Sequence, residues 1–174
     1  MAQEGLGSKY DVAIWFAPVD TNAGAITGKR VRLSRAGAIA AVLIKGAGTA
    51  NDDPVLTVKQ HTASTGGTTA NLAVVDHYYL KNATTLAGSE AWTRLSQAAA
   101  ATVSDPGGAG TSAESQQIVV VPILGTQLSD TYGWVSVDIA DTGSAGAQLA
   151  AGIYILSDLA VQRTPANLAN TLNG

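Results

Sequence analysis

The amino-acid sequence predicts an all-β protein, and three observations carry that prediction. Short β-branched and aliphatic runs recur along the chain, some of them alternate with polar residues at a period of two, and stretches rich in Gly, Thr, Ala, Ser and Asn separate them. The length of 174 residues suits one domain with one core. Hydrophobic content of 46% excludes a disordered chain, whereas 5% aromatic residues and abundant Ala mean that each buried side chain removes only modest area from water.

In order, the strands are expected at residues 12–17, 29–34, 38–45, 55–61, 77–80, 118–124, 132–140 and 148–156. Within 29–34, Val31 and Leu33 share one face while Arg30 and Arg32 share the other, the signature of a half-buried strand. Within 132–140, Val135, Val137 and Ile139 form a core face, with Trp134, Ser136 and Asp138 opposite. Residues 39–44 and 118–123 are apolar almost throughout. That pattern suits strands covered on both faces, by a second sheet and a loop or by a neighbouring subunit. Pro122 cannot donate to a ladder and so marks an edge or a bulge.

Turn formers dominate 20–24, 46–54, 62–71, 105–115 and 141–146, and the long stretches 62–71 and 98–116 are candidate contact surfaces. Residues 90–101 carry both helical and alternating spacings; a strand running into a loop is the favoured assignment. Thr164 followed by Pro165 is an N-cap with proline at the first helical position, which predicts a helical turn or two. The chain thus divides into an N-terminal arm (1–10), a sandwich domain (11–157) and a C-terminal tail (158–174).

Composition narrows function by exclusion. A net charge of −3 opposes general nucleic-acid binding, which needs a basic face. The N-terminal residues lack a secretory pattern and no apolar run reaches the length of a membrane span, so a soluble protein made in a cytoplasm is expected. Cysteine is absent, histidines number two and charged residues make up 13%. No nucleophile elbow, phosphate loop or His-Glu-x-x-His occurs, so the expectation is a protein that is not an enzyme and has no catalytic, cofactor or metal residues.

Three clusters compete with blander accounts. Asn51-Asp52-Asp53-Pro54 offers oxygen ligands for Ca²⁺, but without EF-hand spacing it reads as a turn entering the next strand. His61 and His77, with Asp76, lack a third convergent ligand and read as surface or interface histidines. Lys29, Arg30, Arg32 and Arg35 form the densest charge cluster. They serve either as a solvated face that protects a sheet edge or as a docking strip for an acidic patch on a partner.

Two stretches carry a family likeness: Gly48-Thr49-Ala50-Asn51-Asp52-Asp53-Pro54-Val55-Leu56-Thr57-Val58-Lys59-Gln60 and Ala150-Ala151-Gly152-Ile153-Tyr154-Ile155-Leu156-Ser157-Asp158. Both resemble small β-rich proteins encoded among the head genes of tailed bacteriophages, the decoration, cement or minor capsid proteins. The resemblance implies a β-sandwich with jelly-roll character, long Gly/Thr/Ala-rich loops and extended termini. It also implies a virion protein, made in the host cytoplasm and attached to the outer surface of the capsid. The implied partners are the major capsid protein and further copies of the chain, as a homotrimer. Trimerisation has a physical motive too, since 39–44 and 118–123 are apolar on both faces. Interface candidates are Arg30, Arg32, Arg35, Trp134, Tyr154, Leu168 and Leu172. The rivals are a tail or head-completion protein, and a carbohydrate- or receptor-binding module using Trp15, Trp92, Trp134, Tyr78 and Tyr79 as stacking platforms.

Overall fold

The structure, a computed structural model, describes residues 5–108, 110–143 and 146–167. Its strands are β1 (Tyr10–Asp20), β2 (Val31–Arg32), β3 (Ala36–Lys45), β4 (Val55–His61), β5 (Thr69–Asn71), β6 (Val75–Ala83), β7 (Thr93–Ala100), β8 (Thr102–Ser104), β9 (Gln116–Leu124), β10 (Trp134–Ile139) and β11 (Leu149–Leu159). They form two antiparallel sheets, as the all-β sandwich expectation required. One has the order β1-β11-β3-β9-β6-β7, and the other runs β2-β10-β4-β5 with β8 also paired to β4. The order is nested: the first strand lies beside the last, and the second beside the one before the last.

Each of the eight expected strands is present, and β4 has the expected bounds of 55–61. The strand expected over 29–34 shrinks to Val31–Arg32, because the Leu33 N–H donates to the Gly133 carbonyl and Leu33–Arg35 then winds into a 3-10 turn that feeds β3. Its facing is as expected, with Val31 and Leu33 buried. Residues 93–100 form β7, in line with the strand reading of 90–101. The sequence reading missed β5 and β8. Each is three residues long and owes its extended form to pairing with β4 rather than to any apolar pattern.

The core lies between the sheets. Trp15, Ala41, Leu43, Val119, Val121, Tyr154 and Leu156 enter it from the larger sheet, and Val31, Leu56, Val58, Val135, Val137 and Ile139 from the smaller. Full burial of a Val, Leu or Ile side chain stabilises by about 1.5–3 kcal/mol, so these alternating positions dominate the fold's energetics. Gly152 on β11 makes room for the aromatic pair on β1, since a Cβ there would come within 2.6 Å of both Phe16 and Trp15.

At the chain ends, the Gly5 carbonyl accepts from the N–H groups of Ser8, Lys9 and Tyr10, and the Arg163 N–H donates to the Gly7 carbonyl. The two terminal segments therefore touch. Pro165–Asn167 forms a single 3-10 turn, and the Asn167 N–H donates to the Thr164 carbonyl. Among the described residues no helix is long and apolar enough to cross a membrane.

Candidate interaction surface

The polar clusters come first, because they are where chemistry would reside. Asp53 accepts from Ser112 Oγ at 2.8 Å and from the Ala113 N–H at 2.9 Å, and Asp52 accepts from Asn22 Nδ2 at 3.0 Å. The Asp52-Asp53 pair thus ties three loops together at one end of the sandwich. Lys45, also buried, donates to the carbonyls of Gly46, Ala113 and Ser115; burial lowers its pKa to about 8, against the pull of Asp53 and Glu114. Among the described residues no group of three or more His, Cys, Asp or Glu gathers as a metal site would require.

The two histidines occupy different sheets and do not meet. His61 on β4 corrects the surface expectation: it is buried, with Nδ1 2.9 Å from Thr69 Oγ1 and Nε2 2.9 Å from Ser136 Oγ. Outward alternation on β4 would have exposed it, but β5 and β10 flank it and supply hydroxyl partners on both sides. Burial, followed by the charge of Arg30, pushes its pKa down to about 4. His77 on β6 lies at the surface, 2.6 Å from Asp76 Oδ1, and the hydrogen bond holds the Asp76 carboxyl below its usual range.

The arginine strip brackets β2, an edge of the smaller sheet: Arg30 precedes it, Arg32 ends it and Arg35 closes the 3-10 turn that follows. Arg30 turns back on its own chain, where Nη1 donates to the carbonyls of Ala63 at 2.9 Å and Gly66 at 2.7 Å and so shapes the loop between β4 and β5. The Arg32 guanidinium carbon sits 5.8 Å from the centre of the Trp134 ring, and that ring is itself buried. Arg35 ends the 3-10 turn before β3, and its carbonyl accepts from the Ala160 N–H. Tyr154 requires correction as an interface candidate. Alternation on β11 points it inward with Gly152 and Leu156, and it is fully buried. Leu168 and Leu172 lie outside the described residues.

A broad apolar surface lies on the outer face of the six-stranded sheet, which the register builds row by row. Ile14, Ile153, Val42 and Val120 stand side by side on β1, β11, β3 and β9. The next row is Val12, Ile155, Ala40 and Pro122, followed by Tyr10, Ser157, Ala38 and Leu124; on the other side lie Ala151, Ile44 and Ile118. No charged side chain interrupts these rows. Val12 is 45% exposed, Ile14 41%, Ile44 50% and Leu124 50%, so the face meets solvent. Residues 39–44 and 118–123 were expected to be covered on both sides; among the described residues the inner side is covered, while the outer side ranges from Val42 at 9% exposure to Ile44 at 50%. The sequence reading missed the contribution of β1 and β11, although Asp11-Val12-Ala13-Ile14-Trp15 and Ile153-Tyr154-Ile155-Leu156 carry apolar residues at both parities.

Beyond this face, Lys81 and Tyr79 on β6 and Arg94 on β7 form a polar and basic border. Trp92 is 51% exposed, with the Lys81 ammonium 5.1 Å from its ring centre. Of the proposed stacking platforms, Trp15, Trp134 and Tyr78 are buried. A hollow of about 460 Å³ beside β7 is lined by residues including Leu80, Glu90, Leu95 and Gly107. Its one carboxylate, Glu90, already accepts from the N–H groups of Ala87 and Gly88.

No family model, characterised protein or solved structure matches this chain.

Proposed function

We propose that this chain is a structural protein of a tailed-bacteriophage virion, which decorates or cements the head by contact with the major capsid protein and works as a homotrimer. The observation that carries the reading of a protein that works by contact, whichever partner the face takes, is the charge-free outer face, four strands wide, on a molecule whose Asp52-Asp53 pair, Lys45 and Arg30 are engaged in internal hydrogen bonds. Contiguous exposed apolar patches larger than a few hundred Å² mark interaction sites, and the largest patch on a protein surface is often functional. The assignment to a phage head rests on the sequence resemblance. The nested strand order agrees with it, because β1 beside β11 and β2 beside β10 is the wrapping of a jelly roll, a fold common in viral capsids.

Lectins also use jelly rolls, but a sugar site needs open aromatic faces. Here three of the five candidate platforms are buried and Trp92 already carries Lys81. The test is addition of the purified protein to assembled heads of the phage that encodes it, followed by sedimentation and a copy count. Hundreds of copies per head support decoration, far fewer point to a tail or head-completion part, and absence from the pelleted heads overturns the proposal.

A further inference from the structure

We infer that the outer face of the six-stranded sheet is where copies of this chain meet one another, and that a shell docks elsewhere. The inference rests on the reading of the protein as one that works by contact, and it names the occupant of this face. Charge is the first reason. Foreign partners are selected and steered by complementary charge, and this face presents none to complement. For the same reason nothing on it repels an identical face, although the chain as a whole carries a net charge of −3.

Texture is the second reason. Ala38 and Ala40 on β3 form a trough between Ile155 on β11 and Pro122 on β9, so the face has both ridges and grooves. Sheets packed about 10 Å apart interdigitate large side chains into such troughs.

Area is the third. Strands about 4.8 Å apart, with about eight residues each at a rise of about 3.4 Å, give a four-strand face of roughly 500 Å² in projection. Two such faces bury about 1,000 Å² before the rim is counted, the size at which specific association begins. The Lys81, Tyr79 and Arg94 border then supplies the polar rim that interfaces carry.

Timing is the fourth. The face is exposed as soon as the chain folds, whether or not a shell has formed, and a second copy is the partner present whenever the chain is made. With this face occupied, the β2 edge, with Arg32 partly exposed on it, remains on the opposite sheet.

Light scattering on the purified protein at micromolar concentration tests the inference. The wild type is expected above the mass of one chain: the face packed on its own copy closes two-fold and gives two chains, whereas three chains require two different parts of the face to meet. Ile14→Lys and Ile44→Glu, each at an exposed position, are expected to fall to one chain, while Val161→Lys beyond β11 keeps the wild-type mass. Circular dichroism and the unfolding midpoint of each variant establish that it is folded. A monomeric wild type, or two folded face variants at wild-type mass, overturns the inference. A wild-type mass of two chains retires the three-fold arrangement and retains the contact between copies. Head binding separates the two proposals. A monomeric wild type whose face variants no longer bind heads makes the face a shell contact, which overturns this inference and spares the proposed function. A face-dependent oligomer that ignores heads does the reverse.

Discussion

Trp15 stacks on Tyr154 with ring centroids 5.8 Å apart and planes 21° apart, and the polar tips of both reach the same residue on the opposite sheet, Val137. Trp15 Nε1 donates to the Val137 carbonyl, and the Val137 N–H donates to Tyr154 Oη at 3.0 Å. The reason is a gap in the ladder. On this side of β10, β2 pairs only with Trp134 and Val135, and Ile26 bridges Ile139, so Val137 has no strand beside it. Two aromatic side chains from the other sheet satisfy its main chain, which locks the layers together as well as filling the core.

Tyr154→Phe keeps the ring and removes the acceptor, leaving the Val137 N–H buried without a partner. The expected loss is about 1–3 kcal/mol of folding stability. Denaturant unfolding checks it: the midpoint falls while the slope stays constant. An unchanged midpoint would mean that water reaches the gap.

Gly28 is the other side of that gap. A Cβ there would collide with the Val137 carbonyl oxygen and sit 2.7 Å from Trp15 Nε1, so Gly28→Ala must displace either the β10 main chain or the indole. Overpacking of this kind costs about 1–3 kcal/mol. Gly133→Ala is the control, because a Cβ there meets nothing within 4 Å. Equal melting temperatures for the two variants would contradict the geometry.

His61 makes stability depend on pH with a defined sign. Burial, Arg30 and Lys59 lower its pKa from 6.5 to about 4, against the opposing pull of Asp138. Between those values the unfolded chain binds the proton and the folded chain does not. The contribution is therefore complete above about pH 6.5 and is lost as the pH falls toward 4. The slope from one such group reaches at most about 1.4 kcal/mol per pH unit. Unfolding free energies from pH 7 to 4 should show this slope in the wild type and a shallower one in His61→Asn. Parallel curves would exclude His61 as the source.

Arg30 organises a loop more than it presents charge. Removing its bonds to the Ala63 and Gly66 carbonyls in Arg30→Ala should speed amide exchange across residues 62–69 while protection in β9 and β11 is retained. If exchange in the loop stays at the wild-type rate, the guanidinium is not what holds it. Charge reversal at Arg32 tests docking more cleanly, because that guanidinium lies over Trp134 without shaping a loop.

Alternation is local, and what it governs was legible in the sequence. Val31 and Leu33, and likewise Val135, Val137 and Ile139, were assigned to the core because a strand exposes successive side chains to opposite faces. The double-sided apolar character of 39–44 was legible for the same reason. Which segments become neighbours is decided by pairing over long separations, and no local period records it. The outer face joins residues near 12, 40, 120 and 153, and only the antiparallel register aligns Ile14, Ile153, Val42 and Val120 in one row. His61 is buried because β5 and β10 close on either side of it, and Tyr154 faces inward to serve a carbonyl–amide gap on the far sheet. The sequence by itself determined the longer strands and their inward faces; the tertiary structure decided their neighbours, and with them the broad apolar outer face of the six-stranded sheet.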